Sequence, residues 1–546
     1  MKPTIPNLHL PSVVKPILVI AFLFRIHGLF YGLPFPYAVP DEFGHYLGAL
    51  HILANKTLII PYYQIIGSYI TAPFIALTVL LLLIAGQFSS LFSIQQYLLL
   101  NPGSLLPIAR LIAVIFALLN IYLVFLISSK LWNNKTASTL SSLFLTFSLL
   151  HVQLSQFARP WSLVIFFILL CLHFSIQFIN NSKQHYLFFA SISAFLAFGS
   201  HQSGIIAYLI IFLLALNQFR HNRKHLNPKQ WIPSIFLLFT FPALFHFLRT
   251  KTASIGYPEQ FDLLFTSPPQ LAAFTNQTHQ NIIFFINTFL HYDVAICIFG
   301  IIGIIMAPKI KFPIKTITLC LILLTFTSFY ATARSLLPLT VFFSLFAGNG
   351  LIWLANQFSK AKLLILTLAF LPSLILSLRF NFLLHQPPTF DSLNTWLRQH
   401  TESEIYVAIS DSGFSNLIPS LPASQIIRDK NPSYFQSAYQ QLSSQNFHNV
   451  VYLDQLKNVG INPLDHLSSN PPQYIIDIYF QPRNRINLNT INKPYQKIVT
   501  FYPLPDFFQP LSYLVQNMVY PYPSKLLFSI QRPGPYIDIY ESLTQI

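Results

Sequence analysis

Long apolar runs, more than any motif, decide what this chain can fold into. The stretches near 13–33, 68–88, 105–128, 138–157, 161–180, 231–248, 282–306, 316–333, 337–356 and 363–379 are each long and apolar, and a helix of roughly 17–25 such residues crosses the core of a bilayer. A further stretch, 186–218, has room for two short helices broken at "GSHQSG" (199–204). Only 9% of the residues are charged, against about a quarter in a soluble domain. The chain therefore reads as a polytopic membrane protein. Its first apolar run contains Arg25 and His27 and no small-residue cleavage site, so it reads as a retained helix and not a signal peptide.

The charges are unevenly placed. Residues 1–380 hold 22 Lys and Arg against five acids (Asp41, Glu42, Glu259, Asp262 and Asp293), a net +17, whereas residues 381–546 are close to balanced at −1. Basic residues spread between apolar spans set orientation in a membrane and leave no nucleic-acid footprint. The basic loops "KLWNNK" (130–135), Lys183, "RHNRKHLNPK" (220–229), "KIKFPIK" (309–315) and "KAK" (360–362) all become cytoplasmic under two conditions. The 68–88 stretch must lie in the interface or re-enter, and 186–218 must form a hairpin. That arrangement predicts about 11 spans plus one interfacial or re-entrant helix, a cytoplasmic N-terminus, and all five acids of the membrane part outside. It is the topology of a multi-pass protein of the cell membrane, surrounded by membrane lipids.

Composition shifts after Arg379. "EIYVAIS" (404–410), "VVYLD" (450–454), "YIIDIYF" (474–480) and "YIDIYES" (536–542) read as short strands, and 391–400 and 434–444 as amphipathic helices. The predicted organisation is a polytopic all-α membrane domain over 1–380 and a small α/β extracytoplasmic domain over 381–546. The thiols Cys171, Cys297 and Cys320 sit in or beside apolar runs and read as packing residues.

The expected outer face gathers the residues able to carry chemistry. Asp41 and Glu42 lie side by side in "VPDEFGHYLGAL" (39–50). They either cap the following helix, as acids in a first turn do, or supply a general base held at the membrane surface; the two roles are compatible. Arg159 in "QFARPW" and Arg334 in "TARSLLP" either snorkel to headgroups or together grip a phosphate. His201 is either a polar break in a hairpin or a phosphate or acceptor ligand. Arg25 and Arg110 lie within or at the start of spans and read as pairing internally or snorkelling. His45, Glu259, Asp262 and Asp293 complete the set as acceptor-binding or supporting residues. His45, Asp41 and Glu42 could hold a divalent metal, but without a DxD spacing the signal for any metal or other cofactor is weak.

In their order along the chain, Asp41–Glu42, "ARPWSL" (158–163), "GSHQSG" with His201, and "ARSLLPLTVFF" (333–343) resemble the motifs of the GT-C superfamily of integral-membrane glycosyltransferases. The likeness is to the branch that holds protein O-mannosyltransferases and aminoarabinose transferases. It implies a GT-C-like fold and a polyprenyl-phosphate-linked sugar donor. The acceptor would be a glycan, lipid or protein outside the membrane, and transfer would proceed with inversion. Asp41 would be the base, Glu42 would either orient the acceptor or support Asp41, and Arg334, Arg159 and His201 would sit at the donor phosphate. The chain departs from the pattern in having Ser335 where the family has Tyr, no acid in 160–167 and no Lys in 61–69. The alternatives are a polytopic transporter or lipid flippase, a surface-polysaccharide polymerase, and a non-catalytic assembly protein.

The topology has a direct check. A cysteine placed at Lys229 should react with an impermeant maleimide only after the membrane is opened, and one placed at Glu259 should react in intact cells.

Overall fold

The computed structural model describes residues 11–33, 42–55, 65–221, 236, 271–307, 313–326, 333–400, 405–411, 418, 420–430, 432–442, 449–479, 485–488, 494–503 and 521–543. Its contacts divide the chain into two units. The first holds residues 1–26, 112–156 and 160–378; the second takes up the chain from Arg379 onward together with 27–111 and 157–159.

The first unit is helical. Its helices include Val14–Leu23, Lys135–Phe147, Leu149–Ser155, Trp161–Asn181, Gln184–Ser200, Ile205–His221, Val294–Met306 and Leu337–Gln357. Hydrophobicity cannot choose partners among apolar helices in lipid, so small residues that let backbones approach do it instead. A Cβ at Gly303 would run into the Phe346 carbonyl, one at Gly350 into the Phe299 carbonyl, and one at Gly348 into the Ala137 carbonyl. Glycines thus seat Leu337–Gln357 against both Val294–Met306 and Lys135–Phe147. The Leu345 carbonyl also accepts from Trp132 Nε1 (2.8 Å) and Ser141 Oγ (3.3 Å).

Among the described residues, five helices are long and apolar enough to cross a membrane, or up to seven if each of two bent pairs is one span. The expected span 231–248 lies outside the described residues, apart from Phe236. The run 13–33 is α-helical only over Val14–Leu23, after which the chain turns through Gly28 and Gly32, the latter at φ 71°. Ile65–Ile84, expected to re-enter or lie flat, is a continuous 20-residue helix of spanning length. The run 138–157 bends by 60° at Ser148, and 282–306 bends by 111° at Asp293. The break at "GSHQSG" falls between Gln184–Ser200 and Ile205–His221.

In the second unit, helices Phe43–Asn55, Ile65–Ile84 and Leu91–Leu100 share one core with Leu421–Lys430 and Pro432–Leu442. Tyr46, Leu50, Ile75 and Leu98 pack there with Ile427, Phe435 and Leu442. Beyond it lies a five-stranded sheet of β1 (Tyr406–Ile409), β2 (Asn449–Tyr452), β3 (Tyr474–Tyr479), β4 (Tyr495–Phe501) and β5 (Tyr536–Ser542), in the order β2-β1-β3-β5-β4. β1 is parallel to β2 and β3, and β5 runs antiparallel to β3 and β4. The Arg379 side chain donates to the Leu527 and Ile530 carbonyls (2.9 and 2.7 Å), fixing the end of helix Lys362–Leu384.

Gly350→Leu should abolish the monodisperse folded protein in detergent, because backbone blocks the added atoms. Gly86→Ala, at an exposed turn with nothing within 4 Å, should cost about 1 kcal/mol through its φ of +70° alone. Size-exclusion chromatography and thermal unfolding of the two variants make the comparison.

Candidate active site

One carboxylate in the second unit is placed with unusual completeness. Glu42 precedes helix Phe43–Asn55 and is fully buried, as is Arg110 in the second turn of Leu106–Trp132. Arg110 Nε donates to Glu42 Oε1 at 2.6 Å and Nη2 donates to Oε2 at 2.7 Å. Its remaining nitrogen, Nη1, donates to the carbonyls of Gly28 (2.9 Å), Leu29 (3.1 Å) and Tyr31 (2.7 Å). The glycine-bearing turn after Val14–Leu23 is what lets these carbonyls converge. The Phe157 ring lies beneath the guanidinium at 5.4 Å and meets Tyr31 edge-on at 5.9 Å.

Glu42 Oε1 accepts a further bond from the Ala158 amide at 2.6 Å. The structure thus joins two of the sequence motifs, the first-loop acid pair and the "ARPW" stretch. A bidentate pair of this kind fixes orientation as well as charge. With both oxygens engaged and no exposure, Glu42 is an anchor, and it holds the backbone next to Asp41. Arg110, which the sequence leaves between internal pairing and snorkelling, pairs internally. A guanidinium entering an apolar run needs acceptors, and for Arg110 one of the five acids before residue 381 supplies two of them, with backbone carbonyls supplying the rest.

The other predicted residues fall as follows. Asp41, Glu259 and Asp262 lie outside the described residues, as does the side chain of His45, whose backbone is in helix Phe43–Asn55. Arg159 is buried directly after Ala158 in the second unit. His201, Asp293 and Arg334 belong to the first unit. The His201 ring packs on Trp161 at 4.6 Å, its Nδ1 accepts from the Ser203 amide at 3.1 Å, and Ser203 Oγ lies 2.8 Å away. Arg334 stands half-buried in the 3-10 turn Ala333–Leu336, just before helix Leu337–Gln357.

Asp293 is buried at the 111° bend, where Oδ2 accepts from Ser148 Oγ and Oδ1 from the Leu149 amide, both at 2.9 Å. It caps the helix that restarts after Ser148. Arg25 serves the other side of that break. Its guanidinium donates to Leu145 and Thr146 carbonyls at 3.2 Å, to Ala21 at 3.0 Å and to His151 Nδ1 at 2.8 Å. Because arginine only donates, His151 presents Nδ1 as an acceptor. Among the described residues no three His, Cys, Asp or Glu side chains gather as metal ligands.

The chain has the fold of the GT-C superfamily of integral-membrane glycosyltransferases. ArnT from Cupriavidus metallidurans, solved bound to undecaprenyl phosphate, is similar at a TM-score of 0.50 and 11% identity, with 97% of each chain covered. Residues 91–246 match the dolichyl-phosphate-mannose-protein mannosyltransferase family. The oligosaccharyltransferase AglB from Archaeoglobus fulgidus, solved with an inhibitory peptide and a dolichol-phosphate, is similar at 0.47 and 14% identity, covering 95% of this chain and 76% of that one. A comparison with curated proteins by sequence finds no match.

Arg110→Ala should lower stability by about 3–5 kcal/mol, because it strands a buried carboxylate. Arg110→Lys should recover only part of that, since an ammonium cannot reproduce the fork. Thermal unfolding in lipid nanodiscs measures both.

Proposed function

We propose that the protein transfers a sugar from a polyprenyl-phosphate-linked donor to an acceptor outside the membrane, with inversion, using Asp41 as the general base. The observation that carries this reading is the buried Glu42–Arg110 pair, which fixes the residue next to Asp41 and binds it to the backbone beside Arg159. An acid pair that served only as a helix cap would need no such anchorage. The fold shared with ArnT, a protein solved with undecaprenyl phosphate, supports a lipid-phosphate donor.

In this mechanism the acceptor's nucleophile attacks the anomeric carbon and passes its proton to Asp41. The bond from that carbon to the phosphate oxygen breaks, and the polyprenyl phosphate leaves with the electron pair. Arg334, Arg159 and His201 offset the charge that grows on the leaving phosphate. Glu42 is a positioning residue, His45, Glu259 and Asp262 support the acceptor, and Asp293 supports the fold by capping the helix that restarts after Ser148. Separation of the sugar from its lipid distinguishes this reading from a flippase, which would move the donor intact.

Purified protein in nanodiscs, given a panel of radiolabelled polyprenyl-phosphate sugars, should release polyprenyl phosphate. Asp41→Asn should slow that release about 10²–10⁴-fold, the usual contribution of a general base, without altering the melting temperature. Equal rates in wild type and variant would return Asp41 to the role of a helix cap.

A further inference from the structure

Two histidines far apart in the chain meet ring to ring in the second unit. His27 lies in the turn after helix Val14–Leu23, and His385 directly follows helix Lys362–Leu384. His27 Nδ1 and His385 Nε2 face each other at 2.6 Å, with the rings edge-on (82°) and their centroids 4.8 Å apart. A contact between two ring nitrogens needs one donor and one acceptor. At least one imidazole is therefore neutral and directs a lone pair along the line between them.

The pair serves no backbone group. Arg25, Arg110 and Arg379 each satisfy carbonyls near places where helices stop or turn, but the end of Lys362–Leu384 is closed by backbone alone. The His385 amide donates to the Phe382 carbonyl and the Gln386 amide to that of Leu383. Among the described residues neither ring has a hydrogen-bond partner other than the opposite ring. His385 is exposed and His27 half-buried, so an ion can reach the pair from solvent.

We infer that His27 and His385 form a binding site for a divalent transition-metal ion of the zinc, nickel or copper class, with water in its remaining positions. Imidazole nitrogen suits these ions, whereas calcium and magnesium demand oxygen. Tetrahedral coordination with ordinary metal–nitrogen bonds places two ligand nitrogens about 3.3 Å apart, so the pair must open by about 0.7 Å. Rotation of the exposed His385 side chain supplies that opening. The proton on the line between the rings moves to the far nitrogen of its own ring, or to solvent where that nitrogen already carries one, and both lone pairs go to the ion. His27 immediately precedes Gly28, whose carbonyl accepts from Arg110. A bound ion therefore clamps the turn that receives Arg110 to the end of helix Lys362–Leu384. The site is independent of the transferase reading.

Tag-free full-length protein in detergent, titrated with zinc alone near neutral pH, should bind one more ion per chain than His385→Ala does. Its melting temperature should also rise with zinc concentration by more than the variant's, since an ion bound only to the folded form stabilises it. Magnesium should produce neither effect. One unit of pH below the ordinary histidine value of about 6.5, zinc affinity at this site should be at least about tenfold weaker, because protons compete for the same lone pairs. Equal zinc stoichiometry in wild type and His385→Ala, or a zinc response identical in the two, would overturn the inference. Should His385→Ala fail to fold, His385→Gln keeps a hydrogen-bonding group at the same place and makes the same comparison.

Discussion

The Glu42–Arg110 ion pair is the interaction around which the second unit is organised. Its energy is a difference between large terms: desolvating both ions costs several kcal/mol each, and the attraction between them returns that only when geometry and further hydrogen bonds are complete. Here they are complete, with three backbone carbonyls on the guanidinium and one backbone amide on the carboxylate. The pair therefore specifies more than it stabilises. It fixes where the chain turns after its first helix, where Phe43–Asn55 begins, and where the backbone at Ala158 passes.

The first unit meets a different constraint. Apolar helices in lipid find no hydrophobic reward for one partner over another, so specificity falls to close backbone approach and to the few polar groups. Gly303, Gly348 and Gly350 provide the first, and the donors converging on the Leu345 carbonyl provide the second. Where helices break inside this apolar environment, the freed backbone groups need partners. Arg25 takes the carbonyls on one side of the break at Ser148, and Asp293 takes the hydroxyl and amide on the other. Charges that look misplaced in a hydropathy profile are thus serving interrupted backbone.

How far the sequence revealed all this depended on whether the cause was local. Trp161–Asn181 and Leu337–Gln357 were visible because unbroken apolar runs dictate them. The strand Tyr536–Ser542 was visible because β-formers cluster there, whereas Tyr495–Phe501 was missed: its burial is only partial and Gln496 and Lys497 dilute the pattern. The bends at Ser148 and Asp293 escaped a window average, since one polar residue barely lowers the mean of a long apolar run. The acid pair stood out by its rarity, but its partner lay 68 residues away, and nothing local marks which arginine a buried glutamate will choose. Asp41 itself was legible only as a candidate.

The second unit is assembled from three separate stretches of chain, 27–111, 157–159 and 379–546. This imposes an order on biosynthesis. The helices that bear Glu42 and Arg110 leave the ribosome early, yet the core they share with Ile427, Phe435 and Leu442 cannot close until far more of the chain has been made. During that interval the early helices expose a face meant for protein, and the wait lengthens with each residue of separation. The membrane-insertion machinery must therefore shelter an unfinished unit through most of translation.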